Sequence, residues 1–314
     1  MIRDRAQRHL AALKPFLAAA ALCISLSAGA AGFTFGALGD APYNADEEPR
    51  FVGIIAELNR EKLAFVVHVG DFKAAIQPCS DELFLQRKGW FDLVRHPLIL
   101  VPGDNEWTDC KRMLGGGYDP LERLRKLREL FFSSGVSLGQ TPLKLARQTQ
   151  ATRGAHDYPE HARWEHERVL FVTLNAPGPD NNSRASPEEY SRRSAAIRDW
   201  LGEGFSLARS RGLKAVVVVM HANPWGMLGA ARRGFSELLA ALAAETRGFP
   251  GEVLLVHGDT HHYRVDRPLR DRANSGPLAN FMRVEVFGSP FVNWVRVKAI
   301  EENGRIRFEA EPGS

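Results

Sequence analysis

Residues 63–71 read LAFVVHVGD, an apolar run that ends in a Gly-Asp pair. A continuous apolar run of this length is typical of a strand whose two faces are both covered. Three more apolar runs end in Gly-Asp, at residues 39–40, 103–104 and 258–259, and the run over residues 215–220 is followed by His221. Stretches with the period of an amphipathic helix lie between these runs. Strands that alternate with helices in this way predict an α/β layered domain.

Polar and apolar residues alternate near the C-terminus, over residues 282–287, 292–299 and 305–310. This period predicts antiparallel strands with one solvent-facing side, and hence a second, partly antiparallel sheet. Residues 134–168 are polar and lack a clear period, so we expect a surface excursion there, with His161 exposed. Ser186 to Glu189 has the form of a capping box, which predicts the start of a helix.

The first 30 residues have the pattern of a secretory signal peptide. A basic start precedes a mostly apolar run from Phe16 to Ala30, which ends in small residues of the A-x-A type. The run is short for a membrane span, so we expect no stable span after cleavage, with an uncleaved signal anchor as the alternative. We therefore expect a periplasmic or secreted protein.

Composition and charge exclude several classes of protein. With 44% apolar and 25% charged residues, the chain is neither wholly disordered nor a polytopic membrane protein. Cleavage would remove four cationic side chains and Asp4, which brings the formal net charge from +4 to +1. No basic stretch interleaved with aromatics then remains, so the sequence carries no nucleic-acid-binding signature. In an exported protein Cys79 and Cys110 are expected to form a disulfide, with two free thiols as the alternative.

The Gly-Asp pairs place acidic side chains at the ends of predicted strands. In open α/β sheets ligands bind beyond the carboxyl ends of the strands, and Gly lets the backbone approach them closely. One such pair would be an ordinary turn, but four of them, together with His221 and residues 260–262 (THH), indicate a shared site. Four converging carboxylates would repel one another without cations, so we expect bound metal.

The order of these motifs resembles that of the calcineurin-like metallophosphoesterase superfamily. That series is Asp-x-His, Gly-Asp, Gly-Asn-His-Asp/Glu, a strand-end His and Gly-His-x-His. Over about residues 33–262 this chain has, in order, Asp40-Ala41-Pro42, Gly70-Asp71, Gly103-Asp104-Asn105-Glu106, His221 and Gly258-Asp259-Thr260-His261. The resemblance implies an α/β fold, a two-sheet β-sandwich flanked by helices with mixed sheets and antiparallel C-terminal strands. The sequence has no repeat, low-complexity tract or linker that would divide it, so we expect residues 31–314 to form a single domain.

The resemblance further implies a centre of two divalent metal ions, with Asp71 in the bridging position. Asp40 and His261 would serve the first metal, and Asp104, His221 and Asp259 the second. Several residues depart from the family pattern: Pro42 replaces a metal-binding His, Asp104 a ligand Asn, and Asp259 a ligand His. The resulting oxygen-rich set favours Mn²⁺, Mg²⁺, Ca²⁺ or iron over zinc.

A further departure concerns the leaving group. Asn105 stands where the family has the His that protonates or steadies it, and Asn cannot act as a general acid. His262, Glu106 or water would then have to supply the proton. General acid help is typically worth about 10²–10⁴-fold, so we expect a slow enzyme or one that favours good leaving groups.

These observations predict an exported metal-dependent phosphoesterase that hydrolyses small phosphate mono- or diesters through a metal-bridging hydroxide. Two alternatives stay open. A non-catalytic relative would keep the metals for phosphate or ligand binding, and a serine hydrolase would use Ser137, which lies in a Gly-x-Ser-x-Gly pattern at residues 135–139. The second alternative lacks the strand before the Ser and the helix after it that a nucleophile elbow needs.

Overall fold

The structure is a computed structural model that describes residues 31–149, 157–226, 233–270 and 276–313. The predicted signal peptide, residues 1–30, lies outside these ranges. Within them the chain forms twelve β-strands and five α-helices. No helix in these ranges combines the length and the apolarity that a membrane crossing needs.

The first sheet has five strands in the order β12-β11-β1-β2-β3. Their bounds are β1 Ala31–Leu38, β2 Val66–His68, β3 Leu98–Leu100, β11 Val295–Glu302 and β12 Arg305–Pro312. Strands β1, β2 and β3 run parallel, whereas β11 pairs antiparallel with both β1 and β12.

The second sheet has seven strands in the order β4-β5-β6-β7-β8-β10-β9. Their bounds are β4 Ala146–Gln148, β5 Tyr158–His166, β6 Val169–Thr173, β7 Ala215–Val219, β8 Glu252–His257, β9 Arg264–Asp266 and β10 Phe281–Glu285. Strands β6, β7, β8 and β10 are parallel, and antiparallel pairs lie at both edges.

The helices cover the outer faces of the two sheets. Their bounds are α1 Glu48–Leu58, α2 Asp81–Phe91, α3 Pro120–Phe131, α4 Pro187–Ser210 and α5 Ser236–Arg247. Helices α1 to α3 pack on the first sheet and α4 and α5 on the second, while the inner faces of the sheets share a third apolar core. Within the buried run that starts the sequence analysis, Val66 faces the helices and Val67 faces the second sheet. The run is continuously apolar because both of its faces are covered.

The predicted disulfide is confirmed. Cys79 and Cys110 are bonded, with their Cα atoms 5.7 Å apart, and the bridge joins the segment after β2 to the segment after β3. The two-sheet fold with antiparallel C-terminal strands is confirmed as well.

Two finer expectations were wrong. Strand β10 has no solvent-facing side, because it runs parallel to β8 and its Arg283 and Glu285 are buried. The Arg283 guanidinium binds the Asp266 carboxylate on β9, and Glu285 accepts a hydrogen bond from Thr260. The predicted helix start at Ser186 is confirmed, since α4 begins at Pro187 with Ser186 in the N-cap position, although the Ser186 side chain makes no cap hydrogen bond.

Residues 134–168 are not a surface excursion either, since β4 and β5 extend the second sheet from within them. His161 is fully buried, with its Nδ1 2.7 Å from the Gln148 amide oxygen. Beside it the buried Glu160 carboxylate accepts two hydrogen bonds from Arg128, from Nε and from Nη2, each at 2.9 Å. These buried polar side chains are paired with partners distant in sequence. The polar composition of the stretch was therefore wrongly taken as a sign of exposure.

Candidate metal centre

The candidate site lies where strands of both sheets end at a common edge. Six side chains meet there, and we call them the ligand cluster: Asp40, Asp71, Asp104, His221, Asp259 and His261. The first three follow the parallel strands β1, β2 and β3, and the others follow β7 and β8. The two sheets are joined at this edge, since the backbone N–H of Asp259 donates to Asp40 Oδ1 at 3.0 Å.

Potential ligand atoms of the cluster lie within coordination reach of one another. One atom each from Asp40, Asp71 and His221 lie within 4.8 Å, and so do atoms from Asp104, His221 and Asp259. His221 Nε2 is 2.8 Å from Asp104 Oδ1, 3.5 Å from Asp71 Oδ1 and 3.9 Å from Asp259 Oδ1. His261 Nε2 is 3.8 Å from Asp40 Oδ1. The sequence-predicted ligands are therefore brought together.

The backbone at the strand ends is shaped to aim these side chains inward. Asp40, Asp71 and Asp259 have positive φ angles of 53°, 54° and 80°, a region that Asp tolerates better than most residues. A Cβ on Gly258 would lie 2.0 Å from Asp40 Oδ2, and one on Gly103 would lie 2.0 Å from Asp71 Oδ1. Glycine is thus required at positions 103 and 258, because a neighbouring carboxylate occupies the space of a side chain there.

The two imidazoles have the orientation of metal ligands. His221 Nδ1 lies 2.9 Å from the carbonyl oxygen of Val69, and His261 Nδ1 lies 2.7 Å from that of Ser289. A carbonyl only accepts hydrogen bonds, so Nδ1 carries the proton in both rings. Each Nε2 is then directed at the carboxylates, as in histidines that bind metal through Nε2.

Several buried atoms of the cluster have no protein partner. Among the residues that the structure describes, Asp40 Oδ2, Asp104 Oδ1 and His221 Nε2 are buried without a hydrogen bond. The 2.8 Å contact between the last two atoms lacks hydrogen-bond geometry. Unpartnered buried polar atoms are costly, and a cation among them would satisfy all three. The residues therefore fit divalent metal, and four carboxylates with two imidazoles suit hard cations.

The protonation of the cluster reflects a deficit of positive charge. Burial raises the pKa of Asp40 and of Asp71 well above the usual value, and neighbouring carboxylates add to this. Burial also raises the pKa of Asp259 to about 6. Burial opposes protonation of His221, but Asp71 and Asp104 outweigh it and raise the pKa of the imidazole well above its ordinary value. Protons and metal ions thus compete for the same place, and metal binding would release protons.

A residue that the sequence analysis missed lies in this network. The Tyr43 hydroxyl donates to Asp71 Oδ2 at 2.8 Å and accepts from Asn105 Nδ2 at 3.1 Å. Asn105 Nδ2 also donates to the carbonyl of Lys73, and the Asn105 backbone N–H donates to Asp71 Oδ1 at 3.0 Å. Asn105 and Tyr43 therefore hold Asp71 in place. The sequence signal that could have identified Tyr43 is its position, three residues after the strand-end Asp40.

The two other candidate proton donors lie elsewhere. Glu106 is fully buried, and its carboxylate accepts the backbone N–H groups of Phe72 at 2.5 Å, Gly103 at 2.8 Å and Asp71 at 3.1 Å. This side chain ties the turns after β2 and β3 together. His262 is exposed, and its Nδ1 contacts the carbonyl of Thr260. Neither is among the described residues that line the cleft.

Part of the ligand cluster faces an open cleft with a volume of about 590 Å³. Asp71, Asp104, Asp259 and His261 line its floor, with Tyr43 and Asn105 beside them. A volume in this range accommodates an organic ligand. Ser137 lies outside this lining, and its hydroxyl accepts a hydrogen bond from the backbone of Leu143 within its own loop.

No protein-family model matches the chain. The tRNA(Ile)-lysidine synthase of Brucella anthropi is 32% identical to it over 206 residues, which are 59% of this chain and 44% of that protein. The chain thus spans less than half the length of that relative, which is too little to show a shared family.

Solved structures match over nearly all of the chain. The purple acid phosphatase PPD1 of yellow lupin (Lupinus luteus) aligns over 91% of this chain and 52% of its own, with a TM-score of 0.53 and 13% identity. PhoD aligns over 90% and 72% (TM-score 0.47, 10% identity), and the NAD nucleotidase of Haemophilus influenzae over 91% and 55% (TM-score 0.42, 12% identity). The chain spans about half the length of the purple acid phosphatase, and at this identity the likeness concerns the fold alone. The chain has the fold of the calcineurin-like metallophosphoesterases, as the order of its motifs predicts.

Proposed function

We propose that the protein is a metal-dependent phosphoesterase that hydrolyses small phosphate mono- or diesters at the floor of the cleft. The observation that carries this proposal is the ligand cluster itself. Four carboxylates and two imidazoles with unpartnered buried atoms converge beside an open cleft, in a fold shared with a solved phosphatase.

Two divalent cations are the expected cofactors. Asp40, Asp71 and His261 would hold the first, and Asp71, Asp104, His221 and Asp259 the second. When bound, such cations supply a Lewis acid for the phosphoryl oxygens and lower the pKa of a water molecule. The donor set leads us to expect Mn²⁺, Mg²⁺, Ca²⁺ or iron in preference to zinc.

The chain's own residues orient this centre. Tyr43 and the Asn105 backbone N–H hold the two oxygens of Asp71, at 2.8 and 3.0 Å. Glu106 fixes the backbone on which Asp71 is mounted. The carbonyl oxygens of Val69 and Ser289 keep the imidazoles of His221 and His261 turned inward. Fixed ligands of this kind limit the reorganisation that metal and substrate binding require.

The site lacks an evident proton donor for the leaving group at position 105. The Asn105 amide donates to Lys73 and Tyr43 and has no acidic proton. We therefore expect aryl esters, which leave as stabilised phenolates, to be hydrolysed far faster than alkyl esters. The asparagine at position 105, where the resemblance implies a histidine, also favours the alternative of a non-catalytic relative. Such a protein would bind metal and phosphate without turnover.

The test is hydrolysis of aryl phosphate mono- and diesters by the full chain, with Mn²⁺, Mg²⁺ or Zn²⁺ added after chelation. We expect activity that chelation abolishes and that Mn²⁺ or Mg²⁺ restores better than Zn²⁺. The Asp71→Asn variant should lose metal binding in calorimetry and turnover together. Asp92→Asn, at an exposed carboxylate paired with Lys88, is the matched control.

Three results would decide against the proposal. Turnover that a chelator leaves unchanged would remove the metal from the reaction. Equal activity of Asp71→Asn and Asp92→Asn would remove the ligand cluster. Metal uptake without turnover of any ester would assign the chain to the non-catalytic alternative.

We also propose that the protein is exported, to the periplasm or beyond the cell. The Cys79–Cys110 disulfide supports this, because structural disulfides persist in oxidising compartments. Mass spectrometry of the mature protein should find Ala31 at the N-terminus. An intact N-terminus on protein in the cytoplasmic fraction would contradict this.

A further inference from the structure

One wall of the cleft consists of three apolar residues in a row. Ala74, Ala75 and Ile76, which we call the apolar shelf, lie in the segment between β2 and α2 and line the same cleft as Asp71 and Asp104. Ile76 is 67% exposed, and only Met113 and Phe291 exceed it among the large apolar side chains that the structure describes. An isoleucine with this exposure loses the free energy that burial would provide, which raises the question of what covers it.

The shelf is held in place by a local hydrogen-bond network. The buried Lys73 ammonium donates to the carbonyls of Ala74 and Gln77, each at 3.0 Å. The Gln77 side chain accepts the Ala74 backbone N–H at 2.9 Å, and the Gln77 N–H donates back to the Ala74 carbonyl at 3.0 Å. These hydrogen bonds fix the segment in the conformation that leaves Ile76 exposed.

A second set of bonds fixes the far end of this segment. Cys79 is bonded to Cys110, and its backbone N–H donates to the carbonyl of Gly115 at 2.9 Å. The segment after β3 is thereby held against the segment that carries the shelf. The shelf is a rigid part of the cleft wall, which is the condition for selective binding without a large ordering cost.

The chemistry of the wall indicates what it can bind. The shelf offers methyl and methylene groups and has no side-chain donor or acceptor for the hydroxyl groups of a sugar. On another part of the lining, the Arg112 guanidinium is paired with Asp109 at 3.0 Å, so its charge is partly compensated. The cleft exceeds the space that a phosphate group needs, so its upper part must accommodate the organic group of the ester.

We infer that the apolar shelf binds the organic part of the substrate, and that the preferred substrates are phosphate esters with an aryl or comparably bulky apolar group. This inference rests on the proposed function, because it takes the ligand cluster as the place of the phosphate. It agrees with the absence of a general acid at Asn105, since aryl groups are good leaving groups.

The experiment compares the binding of two non-hydrolysable probes, methylphosphonate and naphthylphosphonate, to the Mn²⁺-loaded full chain by calorimetry. The wild-type chain should bind the naphthyl compound about 10-fold more tightly, from the apolar area covered by the shelf. Ile76→Ser should remove most of this preference and leave methylphosphonate binding unchanged. Leu85→Ser, at a 54% exposed position on α2 outside the cleft lining, should retain it.

The inference is overturned if wild-type protein shows no preference, if neither phosphonate binds, or if Ile76→Ser weakens both probes equally. Binding to phosphatidylglycerol vesicles that Ile76→Ser abolishes, without preference between the phosphonates, would assign the shelf to a lipid surface and likewise overturn it. Hydrolysis measured in parallel separates the two proposals. Selective binding without turnover supports the shelf as the binding place of the organic group and removes the proposed function together with the claim about substrates. Turnover without selective binding keeps the proposed function and overturns the inference.

Discussion

Substitution of Glu106 by Gln separates a structural from a chemical role of the carboxylate that joins the turns after β2 and β3. The side chain is fully buried and accepts three backbone N–H groups, from Asp71, Phe72 and Gly103, at distances from 2.5 to 3.1 Å. A glutamine has one acceptor oxygen and one NH₂ group in this place. At least one backbone N–H would then face another donor.

The size of the effect follows from these contacts. Hydrogen bonds to a charged acceptor are worth about 1 kcal/mol more than neutral ones, and a buried donor without an acceptor costs about 1–3 kcal/mol. Removal of one negative charge relieves repulsion with Asp71, which offsets part of this loss, because the Glu106 charge is among the groups that raise the pKa of Asp71. We expect the free energy of unfolding to fall by about 2–4 kcal/mol.

The assays are urea unfolding of the metal-free and Mn²⁺-loaded protein, and kcat/KM for an aryl phosphate across pH. A positioning residue predicts lower stability and weaker metal binding, with the shape of the pH profile unchanged. Glu82→Gln, at an exposed position on α2, should alter neither quantity. Unchanged stability with a kcat loss of about 10²–10⁴-fold and a lost limb of the pH profile would refute the reasoning and make Glu106 the proton donor.

Three further predictions concern other contacts. Tyr43→Phe removes the hydroxyl that holds Asp71 and should weaken Mn²⁺ binding by about 5–10-fold in calorimetry; unchanged affinity would dismiss this role. Replacing Cys79 and Cys110 with Ser should lower the free energy of unfolding in urea by about 3–4 kcal/mol, from the 31-residue separation that the bridge closes; a loss below about 1 kcal/mol would be incompatible with it. Burial opposes the ionisation of Glu160, but its guanidinium partner outweighs this and lowers the pKa of the carboxyl from 4.5 to about 2. The ion pair should therefore stabilise the fold above pH 4.5, and about 3 kcal/mol should be lost as the pH falls from there to 2. Unfolding midpoints of Glu160→Gln should lack this slope, and an equal slope in both proteins would contradict the assignment.

The layered fold was predictable because its cause is local to each strand. Val66 and Val67 point to different cores, and each of those cores is apolar, so the run around them needs no polar position. The meeting of the strand-end acids was predictable for a related reason. Parallel neighbours end at the same edge of a sheet, so Asp40, Asp71 and Asp104 had to lie close together.

Other features depended on partners that a linear pattern does not reveal. Glu160 and Arg283 are buried because Arg128 and Asp266, which lie elsewhere in the chain, compensate their charges. Their polar character was therefore mistaken for exposure. Tyr43 escaped notice because its role arises only when the turn after β1 meets Asp71.

The antiparallel pair β1–β11 aligns Ala31 with Glu301, nearly the two extremes of the described chain. The same end of the chain supplies Ser289, whose backbone N–H binds the Asp40 carbonyl and whose own carbonyl orients His261. The first sheet and the imidazole geometry are thus completed only when the last strands are available, a highly non-local closure that slows folding. Under the proposed metal-binding role, an incomplete chain would have no assembled ligand cluster, so metal would be acquired in the compartment in which folding finishes.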